Sequence, residues 1–170
     1  ARYLEGLWAN DTLPSISQGY GEAFLGRTFD GVARTLVDQQ VEFSESGQIY
    51  TLDARITDLG QPLRITLAWT DAPGVPYAAA YVNNLDLEVE VGGQTYLGNV
   101  FSGASSIPGG QADAVNNLES VFLPAGTDGE FRVRVRASNI AGDGVPGDSD
   151  LTDQDFALVI YNGSQVLGYL

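Results

Sequence analysis

The chain has 170 residues with no His, no Cys, no Met and no Lys, and its eight basic residues, all Arg, face 22 Asp plus Glu for a formal net charge of −14. The length suits one domain with a full core, burying roughly 68–70% of the unfolded surface. The missing residue types exclude Ser-His-Asp and Cys-His catalysis, thiolate zinc sites, disulfides and lysine chemistry within this chain, and the acidity excludes sequence-independent nucleic-acid binding.

Residues 1 to 31 stand apart. ARYLEGLWAND has no basic region leading into an apolar run, so it is not read as a signal peptide. It opens abruptly, as a mature protein or an excised fragment would. Tyr3, Leu4, Leu7 and Trp8 fall at helical spacing, as do Phe24, Leu25 and Phe29 further on. Gly31 is the expected stop. The prediction is a short helical segment with exposed apolar faces and no core of its own.

From residue 36 to the end the period is two. Val41 and Phe43 begin the alternation, and residues 49 to 55 resume it after Gly47. Leu63, Ile65, Leu67 and Trp69 alternate with Arg64, Thr66 and Ala68, with Trp69 read as core. Leu85, Leu87, Val89 and Val91 alternate with Asp86, Glu88 and Glu90, and Gly92-Gly93 supplies a two-residue hairpin turn. Phe131, Val133, Val135 and Ala137 alternate with Arg132, Arg134 and Arg136. Residues 156 to 161 (FALVIY) read as a strand covered on both faces. With shorter strands near Tyr96 and Val121, about eight strands make an all-β fold, an antiparallel β-sandwich or jelly roll. The acidic face at 86 to 90 and the Arg face at 132 to 136 are either separately solvated or paired across neighbouring strands. Either arrangement discourages edge pairing with other chains. No stretch approaches 18 apolar residues, so no membrane span is predicted.

Three loops are long and rich in oxygen ligands, at 70–84, 98–119 and 139–155. Such loops are functional or disordered in a compact domain. Calcium takes six to eight oxygens from carboxylates, amides, carbonyls and water. The second loop offers Asn99, Asp113, Asn116, Asn117 and Glu119 beside the Asp86 strand, and is a candidate cation site. The plain alternative is that Asp, Asn and Gly are simply turn formers. The third loop carries Asp143, Asp148, Asp150, Asp153 and Asp155 without the EF-hand spacing, and reads by default as a solvated acidic loop. Trp69, Tyr77 and Tyr81 near Asp71 make a poor match to a glycosidase site, which needs two carboxyls and aromatic platforms.

The stretches LRITLAWTDAPG at 63–74, VNNLDLEVEV at 82–91, YLGNVF at 96–101 and NNLESVFL at 116–123 resemble a domain of secreted subtilisin-like serine proteases. It is the β-sandwich that follows their catalytic domain. QGYGEAFLGRTFD at 18–30 is similar to the end of that catalytic domain, and residues 137–162 to the close of the sandwich in bacterial members. The resemblance implies a division into 1–31, the tail of a catalytic domain, and 36–170, a jelly roll packed on that domain. It implies a secreted, non-catalytic module whose partner is the catalytic domain of the same polypeptide, with help in holding protein substrate. In some members this domain binds calcium. Carried over by position, Asp86, Asn99 and Asp113 are the matching ligands, with Asn117 and Glu119 adjoining. Asn84 and Val100 stand where many members have Asp, so two carboxylates are lost. The competing reading is a stand-alone carbohydrate- or surface-binding module, which needs an exposed aromatic row on a sheet face.

Overall fold

The structure, a computed structural model, describes residues 1–6, 11–147 and 149–166. Its strands in chain order are β1 (Arg34–Phe43), β2 (Ile49–Ile56), β3 (Leu63–Ala68), β4 (Asn84–Val91), β5 (Gln94–Leu97), β6 (Phe101–Ser102), β7 (Ser105–Ser106), β8 (Leu118–Leu123), β9 (Glu130–Asn139), β10 (Gln154–Tyr161) and β11 (Gly163–Gln165). Two antiparallel sheets, in the orders β1-β10-β3-β8 and β11-β2-β9-β4-β5, pack face to face as a β-sandwich, and β6-β7 form a separate short hairpin. The strands beyond the expected eight are mostly these short pieces.

Alternation explains the core. Leu63, Ile65 and Leu67 of β3 face Leu85, Leu87 and Val89 of β4 and Val133 and Val135 of β9 inside one buried cluster. Each such side chain contributes about 1.5–3 kcal/mol by leaving water. Phe156 stacks on Phe43 with ring centroids 5.5 Å apart, and Trp69 is buried in the same cluster as expected. Gly92 and Gly93 both take positive φ (58° and 73°) and join Val91 to Gln94 in the predicted hairpin.

Two expectations are corrected. Residues 156 to 161 are not covered on both faces, because Val159 is 41% exposed on the side opposite Leu158 and Ile160. Among the described residues there is no helical segment before the sandwich, only a single 3-10 turn at Leu25–Thr28. Gly19, Gly21, Gly26 and Gly31 punctuate that stretch, each costing about 1 kcal/mol in a helix. Gly21 takes φ 101° so that its backbone can lie against Arg2, where Glu22 and Arg2 bridge. Leu7 and Trp8 of the expected first helix lie outside the described residues.

The N-terminal segment therefore lies along the sandwich in an irregular path. Leu13, Tyr3 and Tyr20 pack on Phe101 and Phe122, on the outer face of β8. Asp30 accepts a 2.8 Å hydrogen bond from the Tyr161 hydroxyl of β10. Among the described residues no helix is long and apolar enough to cross a membrane.

Candidate functional site

The two charged strand faces are neighbours. β4 and β9 pair in a register that sets Asp86 opposite Arg136, Glu88 opposite Arg134 and Glu90 opposite Arg132. Arg134 bonds both Glu88 and Glu90, while Arg132 turns to Asp53 of β2 with contacts of 2.7 and 3.0 Å. That hydrogen bond holds the Asp53 carboxyl below its ordinary range. In the ladder the carboxylates of Asp53, Glu88 and Glu90 are each held by a guanidinium group. Asp86 belongs to the same ladder and bonds Ser138 and Asn84.

The other second-loop residues sit where β5 leaves β4. After Leu97 pairs with Glu88, Gly98 donates to Leu87 O, and Asn99, at φ 62°, carries the chain across to Ser120 of the opposite sheet. The Leu87 amide thus loses its strand partner, and Glu119 Oε2 accepts from it at 2.7 Å. Glu119 shares the inward face of β8 with Val121 and Leu123 and is 0% exposed. Its Oε1 has no partner. Burial pushes its carboxyl up to about 8 against the pull of the Leu87 hydrogen bond, with Asp86 and Asp113 adding to the rise. Gly98 must be glycine, because a Cβ there would run into the Glu119 carboxylate.

Asn99 and Asp113 are brought together but bond to each other. Asn99 Nδ2 donates to Asp113 Oδ2 at 2.7 Å, and its Oδ1 accepts from Ser120 N and the Tyr20 hydroxyl. Asp113 also receives the Val115 and Asn116 amides and the Asn116 side chain. These bonds hold its carboxyl below the ordinary range against burial, the largest single influence, which pushes it up. Burial raises Tyr20 to about 12. Asn117 lies apart and donates to Trp69 O at 2.9 Å. Val100 packs its methyls against Gly110. Asp86, Asn99, Asp113, Asn117 and Glu119 thus do not fit a calcium shell as they stand. The side-chain oxygens of Asp86, Asn99 and Asp113 already accept protein hydrogen bonds, as does Glu119 Oε2. Among the described residues no three acidic side chains stand together as a group that could hold a metal ion by themselves.

Compared with family models and with curated proteins, the sequence matches none of them.

The first and third loops build the other site, one that the sequence hardly signalled. Asp71 accepts the Val82 and Asn83 amides at 2.7 and 2.8 Å, closing the first loop. Asn83, 2% exposed, receives the Ala141 and Gly142 amides on Oδ1 and donates to Gly142 O, Asp153 O and Gln154 Oε1. Gln154 passes the network on to Thr70 O and Asp155 O. Asp153 Oδ1 accepts from Gly144 and Val145 at 2.8 and 2.9 Å. The third loop is therefore not simply solvated: Asp153 and Asp155 are buried, and Gln39 donates to Asp155. Burial first, then the charges of Asp153 and Asp38, push the Asp155 carboxyl up.

Between the two loops lies a mostly apolar cleft of about 770 Å³, lined by Ala72, Pro73, Tyr81, Val82, Asp143 and Pro146 among others. Trp69 faces the core instead, Tyr77 is almost fully exposed, and Asp71 is occupied with backbone amides. No glycosidase pair is formed from them.

Proposed function

We propose that this chain is the non-catalytic C-terminal β-sandwich domain of a secreted subtilisin-like serine endopeptidase, and that it stabilises the catalytic domain and helps hold protein substrate. The motifs at 63–74, 82–91, 96–101 and 116–123 support the family reading. The observation that carries the docking role is a set of exposed apolar side chains. Phe24, Leu25 and Phe29, the last 83% exposed, project from the N-terminal segment. Asp30 ties that segment to Tyr161, on the same face of β10 as exposed Val159, which pairs with exposed Leu36 of β1. Exposed apolar surface of this kind marks an interaction face.

The alternative, a stand-alone carbohydrate-binding module, needs aromatic platforms on a sheet face. Among the described residues the exposed aromatics are Phe24, Phe29, Tyr77 and Tyr81, all in loops or the N-terminal segment.

The test is to mix the chain with a separately produced subtilisin-like catalytic domain carrying matching motifs and follow complex formation by sedimentation. A one-to-one complex that prolongs protease activity on heating is expected, and Phe29→Ser should weaken it at least tenfold. Indifference of the two proteins, with glycan binding by the chain alone, would favour the alternative.

A further inference from the structure

We infer that the third loop is a calcium site built on Asp143 and Asp153, separate from the second-loop residues. Three observations meet there. Asp153 is 0% exposed, one of its oxygens caps Gly144 and Val145, and the other, Oδ2, is buried without a partner. Asp143 Oδ1 is likewise buried without a partner. The two residues form a parallel bridge, through Asp153 N to Gly142 O and Gly144 N to Asp153 O. Residues paired across a bridge send their side chains to the same side. The two carboxylates thus leave the bridge on one side, each with one buried oxygen that has no partner, and among the described residues no Arg forms an ion pair with either.

Buried carboxylate oxygens left without a partner are costly, and a cation between the two would satisfy both. Of the neighbouring donors, Gly144 and Val145 already serve Asp153 Oδ1, and the Asn83 amide serves Gly142 O, Asp153 O and Gln154 Oε1. The ligands are all oxygen, in an irregular loop, which suits calcium with its six to eight ligands and flexible geometry rather than octahedral magnesium. Asp143 also lines the cleft, so water can reach the ion and complete its shell together with loop carbonyls. Asp148 belongs to the same loop but lies outside the described residues. Bound calcium would fasten the two arms of the third loop beneath the first.

The test uses the full chain, stripped with chelator and titrated with calcium chloride by calorimetry, with melting followed in parallel. One calcium per chain and a higher melting temperature are expected. Asp153→Asn keeps the oxygen that caps Gly144 and Val145, and Asp143→Asn touches a less buried group; each should weaken binding at least tenfold. Asp53→Asn, on the charged sheet face, and Glu119→Gln should leave it unchanged. Should Asp153→Asn fail to fold, Asp143→Asn alone decides. No calcium heat in the parent chain, undiminished binding in Asp143→Asn, or loss of binding in Glu119→Gln or Asp53→Asn would each overturn the assignment.

Discussion

Glu119→Gln should change how stability depends on pH, with calcium kept out by chelator. In the folded chain the carboxyl is pushed from its ordinary 4.5 to about 8, first by burial and then by Asp86 and Asp113. Between those values the native state keeps a proton that the unfolded chain has released. Stability is then full below the unfolded value and falls as pH rises toward the folded one, at about 1.4 kcal/mol per pH unit. Over the whole window the loss is on the order of 5 kcal/mol. Glutamine cannot ionise, yet its Oε1 can still accept the Leu87 amide that Glu119 now holds at 2.7 Å. Urea unfolding at pH 5, 7 and 9 reads the difference, provided the slopes with denaturant agree. The variant should match the parent near pH 5 and exceed it by several kcal/mol at pH 9 (an order-of-magnitude figure). The other carboxylates cancel in the comparison. Parallel pH profiles for the two proteins would refute the claim that this carboxyl is protonated in the folded state.

Gly98→Ala should lower stability by about 1–3 kcal/mol, because the new methyl meets the Glu119 carboxylate, and Glu119→Ala should recover part of the loss in a double-mutant cycle. Asn83→Ala should cost at least about 2 kcal/mol in urea unfolding, since it strands several buried groups at once, among them the Ala141 and Gly142 amides. Phe29→Ser should shift the stability of the isolated chain by less than about 0.5 kcal/mol while weakening its association with a catalytic domain, a combination that only a docking role explains.

The strands were legible because burial on one face imposes a two-residue period, and the runs at 63–69, 85–91 and 131–137 have little else to be. Pairing of the Arg face with the acidic face was open from sequence, since alternation fixes a face but not a neighbour. The N-terminal segment misled because helical spacing of apolar residues is also compatible with an irregular chain pinned by glycines and by contacts such as Tyr20 with Asn99. Glu119 was legible as a loose ligand but not as a buried plug. Its role depends on β5 ending opposite Glu88, which no local pattern encodes. Asp153 was hidden for a similar reason. An Asp in a run of acidic residues looks solvated until Asn83, more than sixty residues earlier, closes the loop over it. Asn83 itself gave no signal beyond standing in the NNLD motif.

The proposed placement of this chain, as the sandwich that follows a subtilisin-like catalytic domain, is open to direct measurement. The most direct measurement is the coding sequence immediately upstream of Ala1. An in-frame catalytic domain carrying the Asp, His and Ser motifs of a subtilisin-like protease, with a secretion signal ahead of it, is predicted. An initiator codon at that point, or an unrelated domain in the same frame, would contradict it.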